Sequence, residues 1–527
     1  MLTTKNYIDF KILDSENGSI LAEWKGAEKA GRALPEDKVC LRKDGTVEIL
    51  ERASKKPLVG VLQLTSKYMY GMTGHGVPMY CCQPMNKGYP SFRVACKERD
   101  RSKNLLVSFQ FESWEADCEL PRGSLLKVLG VVEDPAAEAE ALAILSCPWS
   151  APRPSAIPIV NQTSDRILLS SGTFNIDPVG CLDIDDVLTI ESTNDPELFI
   201  IWITIADVAE SVKKGSKEYE IAEKIGATTY QNGRAVRSML HRDLSEKALS
   251  LLPGELRYGL SLRVSFHLRH AVLNTCFQKV LVQNEKSYTY ESAATLEEPF
   301  KKVLTAFSCS EDPHMWIQAS MLLYNLDAAL LLKKMKAGLL RSHEAPYKKN
   351  LELLQTLNVN LQFLSYQSAK YVSAGNGHDT YHWGLKAYEY CHATSPLRRF
   401  ADLVNQQIIK DSLDNMNMKH ILEGFTFAPR PTDALAIALN RRQKEIQEAE
   451  RNFLILTAIQ NTDRAQIEGL YLWAEEKKQV FYIPSWKCTI RFATDTDLRP
   501  GTSYQIQYFC DRTKASWKER MIYRVAG

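Results

Sequence analysis

The hydrophobic pattern of the first 150 residues predicts β-structure. Short apolar stretches alternate with polar residues and are separated by glycine, proline and Asp-Gly turns. In KVCLRKDGTVEIL (38–50), Asp44-Gly45 lies between two alternating runs and predicts a hairpin. Similar runs follow at 57–65, 92–96, 104–111 and 123–132. Their spacing is typical of small OB-type barrels, and two barrels fit this length, the first of them incomplete.

The pattern changes after a helical stretch at 137–144 and a proline-rich stretch at 148–158. A strand-like run at 198–208 is followed by helix-like stretches at 314–336, 349–364, 400–413 and 432–457. Short alternating strands return near the end, around Pro500-Gly501. The predicted fold class is therefore a multidomain α+β protein. Its predicted parts are an incomplete barrel (1–56), a second barrel (57–150), a central α+β domain (151–463) and a third barrel (464–527).

The composition changes this picture little. With 45% hydrophobic and 24% charged residues, the chain has the composition of a soluble globular protein, and its 527 residues predict three or four domains. Because 65 basic residues nearly balance 63 acidic residues, the overall charge does not predict a nucleic-acid-binding surface. Any such contact must come from local patches.

The cysteine content and the hydropathy of the chain indicate its cellular location. Twelve cysteines without a C-x-x-C pair argue against a disulfide scaffold and for a reducing compartment. The chain has no run of 18 apolar residues, and its first residues lack the layout of a signal peptide. We expect a cytoplasmic monomer that does not contact membranes, with the nucleus or an organelle as alternative locations.

The stretch FNIDPVGCLDIDDVLTI (174–190) contains four aspartates within ten residues. They are Asp177, Asp183, Asp185 and Asp186. Five apolar neighbours are expected to be buried: Leu182, Ile184, Val187, Leu188 and Ile190. Repelling carboxylates in an apolar setting need a cation, and all-oxygen ligands favour Mg²⁺, Mn²⁺ or Ca²⁺. An acidic surface turn is the alternative; an EF-hand loop is excluded because the required glycine is missing.

A second motif, YEYCHATSPLRRFADL (388–403), places Pro396 before Arg398 and Arg399 at the apparent start of a helix. Helix N-termini and guanidinium groups both bind phosphate. A capped helix with two solvated arginines is the alternative. Together with a metal-type acid cluster, the arginines indicate phosphodiester chemistry. The sequence has no G-x-S-x-G motif, Walker loop or zinc spacing, and HLRH (267–270) is predicted to be a pair of histidines on a strand.

These motifs resemble the ribonuclease II/R family, whose catalytic domain is called RNB. The resemblance rests on IDPVGCLDIDDVL, on ITIADVAESVKKGS (203–216) with TTYQNGRAVRSML (228–240), and on HATSPLRRFADL, in this order. The flanking barrels are similar to the family's two cold-shock-type domains and its C-terminal OB-type, RNA-binding domain. QSAKYVSAG (367–375) is more similar to the eukaryotic branch than to the bacterial one.

The resemblance implies a metal-dependent, hydrolytic 3′–5′ exoribonuclease. Such an enzyme degrades single-stranded RNA from a free 3′ end processively to nucleoside 5′-monophosphates, with Mg²⁺, or Mn²⁺, as cofactor. The four aspartates fall on the family's catalytic metal ligands, and Asp185 is expected to be indispensable. Arg398 falls on the arginine that binds the phosphate, and Arg399 is expected to add an RNA contact.

Two tyrosines and one glutamine complete the implied RNA site. Tyr230 falls on the tyrosine that stacks on the 3′ base, and Tyr290 on the one near the terminal ribose. Taken alone, each tyrosine is better explained as a core or hairpin aromatic residue, and only its register with the aspartates favours the RNA-binding role. Gln318 and Ala319 replace the family's paired glutamates, so we expect weaker discrimination between RNA and DNA.

Two other functions stay open at this point. A catalytically weakened RNA-binding protein with an RNB fold would explain Gln318 and Ala319, although drift gives no reason to retain four mutually repelling aspartates. A metal-dependent DNA exonuclease is the other alternative.

Overall fold

The computed structural model of the chain describes most of its residues. The ranges and positions outside the description are 15–18, 54–55, 162–164, 232, 357–360, 362–363, 365, 376, 419–432, 460–463, 476, 512 and 527.

The N-terminal part forms two small antiparallel sheets. Its strands are β1 (Leu2–Lys5), β2 (Asp9–Leu13), β3 (Ile20–Lys25), β4 (Lys38–Leu41) and β5 (Val47–Glu51). Strands β1 to β3 form one sheet and β4 pairs with β5. The predicted hairpin is confirmed: Gly45 has a positive φ of 82°, and the Asp44 carboxylate accepts the Thr46 N–H at 2.9 Å. A positive φ costs glycine little, which explains the Asp-Gly dipeptide at this turn.

A closed five-stranded barrel follows. Its strands are β6 (Leu58–Leu62), β7 (Met79–Pro84), β8 (Phe92–Ala95), β9 (Leu105–Ser113) and β10 (Arg122–Val131). Their order is β10-β8-β7-β6-β9. Alternating apolar residues fill the interior, where Phe92 packs edge-on against Phe109. Helix α1 (Pro135–Ser146) begins where Asp134 caps the Ala137 N–H, with proline at its first position.

The central domain is built on a seven-stranded sheet with helices packed around it, and it also contains two separate strand pairs, β15 with β16 and β20 with β21. The strands of the domain are β11 (Ile167–Leu169), β12 (Thr173–Asp177), β13 (Asp186–Ser192), β14 (Leu198–Ala206), β15 (Thr229–Gln231), β16 (Arg234–Arg237), β17 (Leu256–His267), β18 (Ala271–Gln283), β19 (Lys286–Thr289), β20 (Leu339–Ser342) and β21 (Lys370–Ser373). Its helices are α2 (Val208–Ser211), α3 (Lys217–Ile225), α4 (Phe300–Ser308), α5 (Pro313–Met335), α6 (Lys348–Thr356), α7 (Phe400–Met418) and α8 (Asp433–Ala458).

The order of the main sheet is β11-β18-β17-β14-β13-β12-β19. Strand β14 lies in its middle, and all its residues after Leu198 are buried. A continuous apolar run such as LFIIWITIA is typical of a strand that is covered on both faces. The strand therefore anchors the sheet on which the site described below is built.

Helix α5 is long and apolar enough, by composition, to span a membrane, with a mean hydropathy of 1.3 over 18 residues. Its apolar face packs into the core of the central domain, where Trp316 and Tyr324 are fully buried. The Tyr324 hydroxyl donates a hydrogen bond to the Leu260 carbonyl of β17 at 3.2 Å. In this structure α5 is a core helix.

The C-terminal part is an open five-stranded sheet in the described residues. Its strands are β22 (Arg464–Glu475), β23 (Lys478–Ile483), β24 (Cys488–Phe492), β25 (Ser503–Cys510) and β26 (Met521–Val525), with helix α9 (Trp517–Arg520) before the last strand. Their order is β24-β23-β22-β25-β26. The predicted multidomain α+β fold class is confirmed, although this third unit is not closed as the predicted barrel would be.

Several local predictions need correction. Ile184, Val187, Leu188 and Ile190 are buried as predicted, but Leu182 is 53% exposed. The reason is that its backbone carbonyl, not its side chain, faces the domain and accepts a hydrogen bond from Ser250 Oγ at 2.7 Å. The HLRH histidines do not share a strand, because His267 ends β17 and His270 lies in the turn to β18.

The observed ends of two helices differ from the predicted ends by several residues. The stretch predicted at 400–413 is α7, which continues to Met418. The helix begins at Phe400 as predicted, so Arg398 and Arg399 lie just before it. The stretch predicted at 349–364 is α6, which ends at Thr356, and most of the remaining predicted residues lie outside the described part of the chain.

Candidate active site

One edge of the main sheet gathers the four aspartates. Strand β12 ends at Asp177 and its antiparallel neighbour β13 begins at Asp186, so the loop between them carries Asp183 and Asp185 along the same edge. On the other side of β12, Asp177 is paired in register with Thr289 of β19. Chain topology therefore brings together carboxylates that the sequence places in one motif.

The loop that carries the aspartates is held by bonds from a neighbouring segment. Ile184 N–H donates to Ser250 Oγ at 2.9 Å, and Leu251 N–H donates to the Ile184 carbonyl at 3.1 Å. The Asp185 carbonyl accepts the Ala206 N–H at 2.8 Å. These bonds satisfy buried backbone groups and fix the direction in which the Asp185 side chain leaves the loop.

Asp185 joins the two sequence motifs. Its carboxylate accepts the Leu397 backbone N–H at 3.1 Å and the Arg398 Nε–H at 2.8 Å. Arg398 also donates from Nη2 to Ser395 Oγ at 2.9 Å. Burial raises the pKa of Asp185 to about 6, although Arg398 and the Leu397 N–H act in the opposite direction. Arg398 is 41% exposed, so part of its guanidinium also contacts solvent.

Arg399 has a different partner. Its guanidinium donates to the fully buried Asp402 at 2.7 Å, and the same carboxylate oxygen accepts the Ser395 N–H at 2.8 Å. Asp402 therefore shapes the turn that presents Arg398. The RNA contact expected of Arg399 stays a prediction, because in this structure its charge is paired with Asp402.

The remaining carboxylates are less neutralised. Asn175 Nδ2 donates to Asp177 at 2.8 Å, and in the described residues neither Asp177 nor Asp186 forms an ion pair. Burial raises the pKa of Asp186, and the negative charges of Asp177 and Asp185 raise it further. Burial also raises the pKa of Asp177. Such carboxylates favour a bound proton or a cation.

Both predicted tyrosines lie at this edge. The Tyr230 hydroxyl donates to Asp183 Oδ2 at 2.7 Å. Tyr290 follows Thr289, which is the strand partner of Asp177, and its ring stacks on His314 with ring centroids 3.8 Å apart. The structure thus places both tyrosines next to the carboxylates.

Gln318 lies on α5 and its side chain is exposed. It is four residues after His314, so the two side chains share one face of the helix. Since His314 contacts Tyr290, this face begins beside the acidic edge. No hydrogen bond of the Gln318 side chain is present in the described residues, and its RNA contact stays a prediction.

The acidic edge fits a hard divalent cation in charge and in donor type. No three of the four carboxylates have oxygens that all lie within 4.8 Å of one another in the part of the chain that the structure describes. A cation here would therefore be held by one or two carboxylates, with water and substrate oxygens as further ligands. Mg²⁺ is often bound in this way.

Sequence reasoning missed the residues that support this site. Asn175 could have been found, because it precedes Asp177 by two and strand residues two apart share a face. Ser395 stands inside the recognised motif. Ser250, Asp402 and His314 reach the site from other segments, and no local pattern distinguishes them.

Comparison with protein families gives two matches. The model described as RNB domain matches residues 166–349 and 297–415. The model described as Dis3-like cold-shock domain 2 (CSD2) matches residues 79–145, which lie in the closed barrel and α1. The first match contains all four aspartates and Arg398.

Curated relatives include exosome nucleases and bacterial enzymes. The probable exosome complex exonuclease RRP44 of Caenorhabditis elegans is 22% identical over 86% of this chain and 57% of its own length. The exosome complex exonuclease RRP44 of Homo sapiens is 22% identical over 77% of this chain and 54% of its own. Ribonuclease R of Mycoplasma genitalium is 22% identical over 58% and 55%. The chain thus spans about half the length of the curated relatives that it matches.

Solved structures share the fold. The apo form of Mycoplasma genitalium RNase R has a TM-score of 0.73 at 17% identity, with 100% of both chains covered. Yeast Ssd1, described as a pseudonuclease, has a TM-score of 0.66 at 16% identity, covering 97% of this chain and 80% of its own. The solved structures show the shared fold, and the family matches show that this chain is an RNB-domain protein with a Dis3-like cold-shock domain, with homologues among the RRP44 and RNase R exoribonucleases.

Proposed function

We propose that this protein is a metal-dependent, hydrolytic 3′–5′ exoribonuclease that degrades single-stranded RNA processively to nucleoside 5′-monophosphates. One observation carries the proposal: the Asp185 carboxylate is bound by Leu397 N–H and Arg398 Nε–H, so the acidic and the arginine motifs form one site. A structural acid cluster would have no need for a half-exposed arginine at its rim.

The chemistry requires water to attack the last phosphodiester. A P–O bond to water forms, the bond to the 3′ oxygen of the preceding nucleotide breaks, and the 5′-monophosphate leaves while the 3′ oxygen takes up a proton. One or two of Asp177, Asp183, Asp185 and Asp186 would hold Mg²⁺, or Mn²⁺, which would lower the pKa of the attacking water and offset the charge on the phosphate. RNB-domain exoribonucleases generally depend on a divalent metal ion.

The protein's own groups position the substrate. Arg398 is fixed at one end by Asp185 and Ser395, and its exposed part can bind a phosphate oxygen. The Tyr230 ring is held beside the carboxylates by its bond to Asp183, where it can stack on the terminal base. Stacking tolerates any base, which suits an enzyme that degrades RNA without regard to sequence.

The substrate we propose is single-stranded RNA with a free 3′ end, bound by a monomer in the cytoplasm. The fold of this chain is shared with a Mycoplasma genitalium RNase R structure in complex with ribose methylated single-stranded RNA, at a TM-score of 0.72. That similarity and the open arrangement of carboxylates, tyrosines and arginine at one sheet edge support the proposal.

Asp185→Asn tests the proposal. The change removes one carboxylate charge, so hydrolysis should fall by at least about 100-fold, whereas RNA affinity should persist or increase because repulsion with the RNA backbone is reduced. Gel shift and release of labelled nucleotide measure the two effects. Asp495→Asn, at an exposed aspartate in the loop after β24, is the matched control. Near wild-type hydrolysis by Asp185→Asn would show that the acidic edge is not the active site.

A catalytically weakened RNA-binding protein is the second candidate. The exposed amide of Gln318, where the family has a carboxylate, and the shared fold with a protein described as a pseudonuclease both favour it. It predicts that the wild-type protein binds single-stranded RNA but releases no nucleotide in Mg²⁺ or Mn²⁺. The same assay, run with single-stranded DNA, tests whether the protein is instead a metal-dependent DNA exonuclease.

A further inference from the structure

A stacked pair of rings at the acidic edge has no part in the mechanism described above. The imidazole of His314 lies on the phenol ring of Tyr290, with ring centroids 3.8 Å apart and an angle of 13° between the planes. A parallel arrangement at this distance is a close face-to-face contact. Two segments 24 residues apart are thereby joined at this point.

The backbone fixes both rings relative to the aspartates. Asp177 pairs in register with Thr289, so Tyr290 is the next residue beyond the strand partner of a carboxylate. His314 stands in the first turn of α5, where its N–H donates to the capping carboxylate of Asp312 at 2.9 Å. The order along this edge is therefore carboxylates, Tyr290 and then His314.

The imidazole keeps its hydrogen-bonding capacity. His314 is exposed, and besides hydrogen bonds its charge contributes to lowering the pKa of the nearby Glu291; in the described residues its ring forms no side-chain hydrogen bond and no ion pair. Stacking occupies one face of the ring and leaves both ring nitrogens, which lie in the ring plane, open to a ligand. A merely structural stack at the start of a helix would not need a polar ring.

We propose that His314 is a specificity-determining residue that hydrogen-bonds the 2′ hydroxyl of the 3′-terminal ribose. The inference rests on the proposed function, because the terminal sugar is joined through its 5′ oxygen to the phosphate that is hydrolysed. Groups that lie next to the metal-ligand aspartates therefore face this sugar. The 2′ hydroxyl is the group by which a protein distinguishes RNA from DNA.

Gln318 lies one turn further along the same face and presents an exposed amide, which makes a weaker hydrogen bond with a hydroxyl than a carboxylate does. The imidazole, held flat by Tyr290, loses little rotational freedom when it binds a hydroxyl. Ribose recognition in this chain is thus shared between α5 and the residue after β19.

The test separates hydrogen bonding from stacking. His314→Phe retains an aromatic ring on Tyr290 but has no ring nitrogen, whereas His314→Ala loses both contacts. His75→Ala, at an exposed histidine of the closed barrel, is the matched control. The measured quantity is the ratio of kcat/KM for an RNA oligonucleotide to that for the same RNA with a single 2′-deoxynucleotide at its 3′ end.

We expect His314→Phe to lower this ratio about fivefold with an unchanged melting temperature, because one net hydrogen bond is lost. The ratio of His75→Ala should equal that of the wild type. If His314→Phe keeps the wild-type ratio, His314 does not contact the ribose. A lower melting temperature of His314→Ala together with an unchanged ratio would assign the stack a structural role and would also overturn the proposal.

A binding measurement keeps the inference independent of hydrolysis. The dissociation constants of the same two oligonucleotides are measured in EDTA, for the wild type and for His314→Phe. A wild-type preference for the terminal ribose that disappears in the variant supports the inference. If the wild type hydrolyses neither oligonucleotide in Mg²⁺, the proposed function fails, and this binding ratio alone decides the role of His314.

Discussion

A carboxylate that is almost fully buried needs partners for its charge, and Asp185 has two. The Leu397 N–H and the Arg398 guanidinium each donate to one of its oxygens. Removing Arg398 would leave the charge of the almost fully buried Asp185 without its cation, which is unfavourable, whereas Arg398 itself is 41% exposed. The position of Arg398 at the rim is therefore tied to the position of Asp185, and a change at one should disturb both.

Restoring an acid on α5 should strengthen ribose recognition. A carboxylate that accepts a hydrogen bond from a 2′ hydroxyl forms a bond roughly twice as strong as a neutral one. Gln318→Glu or Ala319→Glu should therefore widen the ratio of kcat/KM for matched RNA and DNA by up to about tenfold in at least one case. Steady-state kinetics on both substrates measure the ratio. An unchanged ratio in both variants would mean that this helix face does not contact the terminal ribose.

The sequence predicts that some side chains belong to the site and gives no indication of others. The spacing of the four aspartates suffices to place them in one strand-loop-strand segment, whereas Arg398 and Tyr230 were assigned to the same site through the resemblance to the ribonuclease II/R family. Ser250 and Asp402 could not be predicted, since they support the site through contacts between distant segments. Leu182 was predicted wrongly because apolar composition does not tell which side of a loop faces the core.

Helices α2 and α7 are joined by a buried network of charges. Lys410 of α7, 4% exposed, donates to Asp207 at 2.7 Å and to Glu210 at 2.6 Å. Arg166 donates to the same two carboxylates at 2.8 and 2.6 Å. The network holds the start of α2 against the helix that follows Arg398, and its integrity therefore supports the site.

This network predicts a loss of stability in acid. Burial alone would raise the pKa of Glu210. The hydrogen bond and charge of Lys410, together with the charges of Lys213 and Arg166, outweigh this effect and lower the pKa to about 2. A lowered pKa in the folded state means that ionised Glu210 contributes stability above its ordinary pKa of 4.5, and that this contribution is lost as the pH falls towards 2. Lys410→Met should flatten this part of the pH profile.

Urea denaturation between pH 5 and pH 2 measures the effect. Lys213→Met is the matched control, because Lys213 is 56% exposed and lies 3.6 Å from Glu210. An exposed pair contributes less than a buried one, so the control should flatten the slope clearly less than Lys410→Met does. A wild-type slope in Lys410→Met would mean that Glu210 is not the group responsible.

The types of most elements could be predicted from periodicity, and their limits less well. The run at 198–208 and the long helices at 314–336 and 432–457 are strongly patterned, and the observed β14, α5 and α8 agree within two residues. Periodicity does not predict whether a sheet closes into a barrel, because closure depends on pairing between strands far apart in the chain. This is why the third unit was predicted as a barrel and is open in the described residues.

At the scale of the whole molecule, α1 and α8 share a hydrophobic core with the C-terminal sheet and with part of the closed barrel. Within this core Arg520 donates to Glu138 of α1 at 2.6 Å, and both side chains are almost fully buried. The C-terminal unit is therefore fixed to the region that carries the closed barrel. The domain limits 1–56, 57–150, 151–463 and 464–527 stay predictions.

The central claim is that hydrolysis begins at a free 3′ end and depends on a divalent metal ion. It is tested most directly with one single-stranded RNA, labelled at either its 3′ or its 5′ end, and with a circular RNA of the same sequence. In Mg²⁺ the 3′ label should appear at once as nucleoside 5′-monophosphate, while the 5′-labelled RNA shortens step by step. EDTA should stop the reaction, and the circle should stay intact. Cleavage of the circle, or release of the 5′ label first, would contradict the account.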